Sequence, residues 1–265
     1  MSETADPDLS PAPGAERFGH LIERRDDADF PFYDGEPTTL SVPQWILAWV
    51  SVAVGIAVLM FTPQPNNLVA LIPRTLFVVI PLVTLALITR PYWTALFRRV
   101  TRRDVLTMFG FAVLTLAVSS SLALIVRAFS DTAANEATDD VGSLGVIDVI
   151  AFYVGTGIQL VGEEIFTMIP LLAVLYIFFA KVKVSRRTAI VVAWIVSSLW
   201  FGAAHLPTYD WNVAQAFIVI GGARVVLTLA YIRTKNLWVS TGAHVINDWT
   251  LFTPSIIQNA AFVAI

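Results

Sequence analysis

The stretch that decides the fold is residues 68–89, LVALIPRTLFVVIPLVTLALIT, in which Arg74 is the one charged side chain. As a helix it rises about 33 Å at 1.5 Å per residue, enough to cross the hydrocarbon of a bilayer. Across all 265 residues, 56% are hydrophobic and 14% are charged, and the mean hydropathy is +0.70. These values lie outside the range of soluble globular domains and predict a helical integral membrane protein.

Further apolar stretches of similar length predict an all-α fold, a polytopic membrane bundle of about seven to eight transmembrane helices. The predicted segments are Gln44–Thr62, Leu68–Thr89, Val105–Val126, Leu144–Ala180, Thr188–Leu206, Trp211–Ile232 and Leu237–Phe252. The fourth segment is too long for one simple span, so we expect Leu144–Leu160 to be a separate interfacial or re-entrant helix. The pattern assigns no structure to the short apolar tail Ser255–Ile265.

The chain before the first apolar segment has a different composition. Residues 1–40 are rich in Pro, Asp, Glu and Ala without apolar periodicity, which predicts a disordered or loosely attached tail ahead of a membrane-embedded domain at 41–265. Basic residues follow the second, fourth and sixth segments, within 90–103, 181–187 and 233–235. By the positive-inside rule these ends and the tail are cytoplasmic, with Asp131–Asp140 outside, in a multi-pass protein of the plasma membrane.

Some chemistries are excluded by composition and by missing motifs. The chain has no cysteine, so it has neither a thiolate nucleophile nor a thiolate metal site. The net charge of −3 gives no reason to expect a nucleic-acid partner. Neither His-Glu-x-x-His nor Gly-x-Ser-x-Gly occurs, which argues against a zinc protease of the first pattern and a serine hydrolase of the second.

Three polar patterns interrupt the later apolar segments. They are Glu163-Glu164, Phe201-x-x-x-His205 and His244-x-x-x-Asp248. A charged group in hydrocarbon costs about 2.5 to 3.5 kcal/mol even on the lenient insertion scale, so such groups need a partner or a function.

The spacing of these residues suggests how they are used. Residues four apart share a helix face, whereas neighbours such as Glu163 and Glu164 point about 100° apart, so only one glutamate can face a shared site. Each pattern alone also fits a structural role, as an interfacial helix end or an interhelical hydrogen bond. Together they favour a catalytic site for peptide-bond hydrolysis, in which a glutamate activates water and imidazoles bind an oxyanion or a metal.

At these residues the chain resembles the CPBP family, the CAAX prenyl proteases and bacteriocin-processing enzymes also called the Abi group. The family pattern is Glu-Glu-x-x-x-Arg, then Phe-x-x-x-His, then His-x-x-x-Asn or Asp, each on a membrane helix. The resemblance covers about residues 145–252.

The resemblance implies an intramembrane endopeptidase that acts in the lipid bilayer on a lipidated or membrane-embedded peptide or protein. It implies Glu163 as the base that activates water, with Glu164 as its neighbour and His205 as its partner. His244 and Asp248 would bind the oxyanion. If the enzyme uses a metal, Zn²⁺ would be held by Glu163, His205 and His244; the same residues also suit a glutamate protease without a cofactor.

The chain departs from the family pattern at Met168, where the family has arginine. Inside the predicted spans the candidate replacements are Arg74 and Arg224, and we expect Arg224 to pair with Glu164 because an unpaired intramembrane arginine is costly. The alternative function is a non-enzymatic membrane protein: a degenerate protease scaffold, an immunity factor or a transporter.

The predicted segment ends raise a difficulty of depth. They place Glu163 and His205 toward the outer side, whereas His244 lies about 10 Å from the cytoplasmic end of its helix. Straight helices with these ends would not bring the three side chains together.

Overall fold

The computed structural model describes residues 17–24, 26, 28–133, 141 and 145–263, the last five of these by their backbone alone. In these residues the chain is helical and contains no strand, which confirms the predicted all-α fold. The seven α-helices are α1 (Val42–Phe61), α2 (Asn67–Thr89), α3 (Arg102–Arg127), α4 (Val146–Tyr176), α5 (Arg186–Ala204), α6 (Gly221–Thr234) and α7 (Leu237–Val263).

Six helices, α1 to α6 with their adjoining turns, are long and apolar enough to cross a membrane. Their outer faces carry large apolar side chains that are more than half exposed, including Ile46, Ile72, Leu106 and Ile195. Such a surface is unfavourable in water and suits a lipid environment. The predicted polytopic bundle is therefore confirmed.

Helix α4 is the central element and packs against α1, α2, α5 and α7. In its most apolar window 89% of the residues are buried inside the protein, compared with 17% in the peripheral α3. It runs without a break from Val146 to Tyr176 and continues through a π-helical turn, Ile177–Lys181. The prediction of a separate helix at Leu144–Leu160 is wrong, because from Val146 onward that range is the first half of the unbroken α4, whose second half is covered by neighbouring helices. Residue 144 itself lies outside the described residues.

Two other predicted boundaries differ from the structure. Helix α7 continues past Phe252 through Pro254 to Val263, so most of the apolar tail at 255–265 is helical. The predicted segment Trp211–Ile232 begins instead with a π-helical turn, Gln215–Ile220, because Asp210 and Trp211 have positive φ angles and interrupt the helix. In the predicted outer loop, residues 134–140 lie outside the described residues.

The described residues between 17 and 40, which we call the N-terminal segment, pack against one end of the bundle. Phe30, Phe32 and Tyr33 are at most 3% exposed and join the main hydrophobic core. This part differs from the loosely attached tail that composition predicts, because its contacts are made with residues far along the chain. Residues 1–16 of the predicted tail lie outside the described residues.

A buried carboxylate anchors the N-terminal segment. Glu23 accepts two hydrogen bonds of 2.9 Å from the Arg186 guanidinium and one of 2.5 Å from Lys235. Arg186 also donates to Asp29 at 2.6 Å, and Arg24 pairs with Asp104 of α3 at 2.5 Å. The segment therefore ties together α3, the start of α5 and the turn between α6 and α7.

We predict that Glu23→Gln destabilises the protein by about 3 kcal/mol, because removing one partner leaves buried cations without compensation. The loss is measured as a lower thermal midpoint of the detergent-solubilised protein. Glu36→Gln is the matched control, because Glu36 lies on the same segment and is less buried. Equal midpoints for the two variants would contradict the anchoring role of Glu23.

The same carboxylate predicts a pH dependence. Burial raises the pKa of Glu23, but hydrogen bonds from Arg186 and Lys235 outweigh it and hold the pKa at about 2, below the ordinary 4.5. A lowered pKa in the folded state contributes stability that is complete above pH 4.5 and is lost as the pH falls toward 2. The difference in stability between the wild type and Glu23→Gln should therefore shrink over that range, and a difference independent of pH would contradict it.

Candidate active site

The two glutamates of α4 have different surroundings. Glu164 is fully buried, whereas Glu163 is 8% exposed and lines a cavity between the helices. Because adjacent residues point about 100° apart on a helix, fixing one carboxylate inside the protein turns the other toward the cavity. This separation is the one that the sequence predicts.

Arg224 of α6 holds the Glu164 carboxylate. Its Nη2 donates to Oε2 at 2.7 Å, and its Nη1 lies 2.7 Å from Oε1 in an ion-pair contact poorly aligned for a hydrogen bond. The guanidinium also lies 4.8 Å from the ring centroid of Phe201 and donates from Nε to Thr228. The predicted pairing of Arg224 with Glu164 is confirmed, while Met168 is a fully buried part of the hydrophobic core.

His244 of α7 connects the two glutamates. Its Nδ1 lies 3.0 Å from Oε1 of Glu164, and since that carboxylate accepts, Nδ1 carries the proton. On the other side of the ring, Nε2 lies 3.8 Å from Glu163 and 3.7 Å from Asp248. Both distances exceed a direct hydrogen bond, so Nε2 faces a gap bordered by two carboxylates.

Glu163 is oriented by a residue that the sequence analysis missed. Gln159, one helical turn earlier, donates from Nε2 to Oε1 of Glu163 at 2.9 Å. Gln159 and Glu163 are four residues apart on one helix, and this spacing could have predicted the contact from the sequence. Asn247 similarly donates to Oδ1 of Asp248 at 2.8 Å.

His205 immediately follows the last residue of α5. Its Nδ1 lies 2.9 Å from the carbonyl oxygen of Phe201, and because a carbonyl only accepts, a neutral ring keeps its lone pair on Nε2. The ring packs against Phe201 with centroids 4.4 Å apart, and the Phe201 ring lies 6.2 Å from His244. The Phe201 ring therefore lies against both histidines.

The cavity has a volume of about 790 Å³. Of the predicted site residues, Glu163, His205, His244 and Asp248 line it, while Glu164 lies behind the wall. The two arginines Arg74 and Arg224 line it as well. The three sequence motifs thus meet at one polar space within the bundle.

The predicted segment ends place Glu163, His205 and His244 at different depths, but the structure brings them together. Two features explain the difference: the position of Glu163 on α4 and the place where α7 begins. Since α4 is unbroken, Glu163 lies near its middle, about 25 Å from Val146. The turn between α6 and α7 is also buried, with Lys235 1% and Asn236 2% exposed. Helix α7 therefore starts inside the protein, and His244 reaches the level of Glu163.

A metal ion would need a suitable set of donors at this site. Among the described residues, no group of three His, Asp or Glu side chains has the arrangement to hold one. The Nδ1 of His244 donates to Glu164, so Nε2 is the ring nitrogen that would face a metal. The zinc set Glu163, His205 and His244 does not fit, so no reaction step is assigned to a metal.

The family comparison agrees with this geometry. Residues 144–250 match the model of the family described as type II CAAX prenyl endopeptidase Rce1-like. This part of the chain is an Rce1-like domain. The matched range runs from α4 into α7 and contains all three motifs, which confirms the resemblance predicted from the sequence.

The Rce1-like domain indicates a peptidase of the CAAX-protease type. With six helices able to span a bilayer, it is an integral multi-pass membrane protein. No match was found among curated proteins or among solved structures.

We predict that Arg224→Met and Glu164→Gln are each strongly destabilising, by about 3 to 5 kcal/mol, because each leaves a buried charge unpaired. The double variant should lose much less than the sum, since neither charge remains. Thermal midpoints of the four proteins in detergent complete the cycle. Additive losses would show that the two side chains do not depend on each other.

Proposed function

We propose that the protein is an intramembrane endopeptidase in which Glu163 activates water to cleave a lipidated or membrane-embedded peptide. The observation that carries the proposal is the contrast between the two glutamates. Arg224 and His244 bind the Glu164 carboxylate, while Glu163 faces the cavity with only a neutral amide on its oxygen. A carboxylate that is hydrogen-bonded only by a neutral amide can still accept a proton from water.

The proposed reaction follows from the cavity wall. Glu163 takes a proton from water as the oxygen attacks the carbonyl carbon, and the carbonyl oxygen becomes an oxyanion. In this proposal His244 is the imidazolium form: its Nδ1–H is bound by Glu164, and its Nε2–H stabilises the oxyanion across the gap beside Asp248. When the carbon–nitrogen bond breaks, Glu163 returns its proton to the leaving amine. His205 orients the water through its Nε2 lone pair.

The contacts of the two glutamates support different roles for Glu163 and Glu164. Glu164 reaches the reaction only through His244, whose Nδ1 it binds at 3.0 Å. It is therefore a positioning residue, which fixes the ring so that Nε2 faces the gap. Glu163 and His205 line the cavity directly.

The distribution of basic residues supports a cytoplasmic N-terminus. The basic connections that precede α5 and follow α6 lie at the same end of the bundle as the N-terminal segment, through the contacts of Glu23 with Arg186 and Lys235. The positive-inside rule favours that end in the cytoplasm. We propose the plasma membrane as the location.

We predict that Glu163→Gln lowers kcat for cleavage by about 100- to 10,000-fold with an unchanged thermal midpoint, because general-base catalysis contributes a factor of that size. The assay uses the purified protein in proteoliposomes with a prenylated peptide and an unlipidated membrane peptide, and mass spectrometry identifies the new termini. The control Asp148→Asn removes a carboxylate near the start of the same helix, away from the cavity, and should keep full activity.

The same assay distinguishes the reaction types. Cleavage that persists in a metal chelator supports glutamate catalysis, and cleavage that stops in chelator and returns with Zn²⁺ contradicts it. Cleavage by the Glu163→Gln variant at the wild-type rate would remove Glu163 from the mechanism. Absence of cleavage by the wild type on every peptide tested would favour the non-enzymatic alternative.

A further inference from the structure

Arg74 of α2 is a charged side chain that the proposed reaction does not use. It lines the same cavity as Glu163, and its Nε and Nη1 are buried without a hydrogen-bond partner. It lies outside the residues matched by the family, so no motif accounts for it. Arg224, in contrast, has the Glu164 carboxylate as its partner.

The packing around Arg74 leaves room for its guanidinium. Gly155 of α4 faces it so closely that a methyl group at that position would collide with Nη1. The same methyl group would also lie 3.2 Å from Cδ of Arg74 and 3.2 Å from Leu71. A glycine in the central helix thus opens the space in which the charged end of Arg74 lies.

No acidic side chain among the described residues forms an ion pair or hydrogen bond with Arg74. Glu163 is within electrostatic range of the guanidinium, but among the described residues the two side chains form no ion pair. Arg74 is partly buried, and two of its guanidinium nitrogens are buried without a hydrogen-bond partner, which is costly inside a membrane protein. The planar fork of an arginine matches a carboxylate through two parallel hydrogen bonds. The missing partner is therefore an anion that enters the cavity.

We propose that Arg74 binds a carboxylate of the substrate peptide and so selects which peptide bond reaches Glu163. The inference rests on the proposed function, because it places the anion beside the residue that activates water. The carboxylate is either the terminal one or an acidic side chain close to the cleaved bond. A peptide is favoured over a lipid phosphate because Arg74 and the reacting groups share one cavity, so one ligand meets both.

The test measures binding and does not depend on turnover. A fluorescent peptide is titrated into detergent-solubilised Glu163→Gln protein in three forms: the free acid, the C-terminal amide, and the amide ending in aspartate. We expect one or both carboxylate forms to bind about ten-fold or more tightly than the plain amide, as for a hydrogen-bonded charge pair. Preference for the free acid identifies the terminal carboxylate, and preference for the aspartate form identifies a side chain.

Variants of Arg74 show whether this preference depends on the guanidinium. In the Glu163→Gln background, Arg74→Gln should abolish the preference, Arg74→Lys should keep part of it, and Gly155→Ala should weaken it by displacing the guanidinium. Arg90→Gln is the matched control, because Arg90 is an exposed arginine at the end of the same helix. Thermal midpoints and size-exclusion profiles identify any variant that is not folded.

An unchanged preference in folded Arg74→Gln would overturn the proposal. Equal binding of all three peptide forms, with Arg74-dependent binding of vesicles containing anionic phospholipid, would overturn it in favour of a lipid site. In the cleavage assay the wild-type background with Arg74→Gln should show a raised KM at a nearly unchanged kcat. If the wild type binds peptide acids through Arg74 but cleaves none, the proposed function fails while the binding site stands.

Discussion

The buried ion pair between Glu164 and Arg224 is the interaction on which the rest of the site depends. Both side chains are fully buried, so each charge is tolerable only while the other is present. The pair joins α4 to α6, and the hydrogen bond from His244 to the same carboxylate joins α7 to both. Once Glu164 is held, helix geometry leaves Glu163 facing the cavity. One structural contact therefore decides which glutamate is available for chemistry.

The helix that supplies the arginine paired with Glu164 matters less than the position of its guanidinium. In the family pattern an arginine four residues after the second glutamate would lie on the same helix face and reach the same carboxylate. In this chain Met168 occupies that place and packs in the core, while Arg224 supplies the charge from α6. The pairing was predictable from the sequence, because few cations lie inside the apolar segments and each needs a partner. The distances within the ion pair and the stacking of Arg224 on Phe201 were not predictable, because they depend on how α5 and α6 pack.

The sequence predicts features that arise from local patterns and misses those that arise from distant contacts. Apolar length and the three motifs were enough for the bundle and for four residues that line the cavity. The length rule failed for α4 because it assumes lipid around the whole helix, whereas the second half of α4 is surrounded by protein. The N-terminal segment has no periodicity because it is not a regular helix. Its burial depends on Glu23 meeting Arg186 and Lys235, which are far away in the sequence.

The two arginines that line the cavity differ in a way that connects stability with function. Arg224 is fully buried and is paired with Glu164, whereas Arg74 is partly buried and two of its guanidinium nitrogens have no hydrogen-bond partner. An apolar residue at position 74 would avoid the cost of the two unpaired guanidinium nitrogens. The space left for Arg74 at Gly155 shows that neighbouring packing accommodates this charge. Arg74 gains a hydrogen-bonded counter-charge only when an anionic ligand enters the cavity. The free-energy cost of leaving the arginine unpaired therefore favours binding of an anionic substrate over a neutral one.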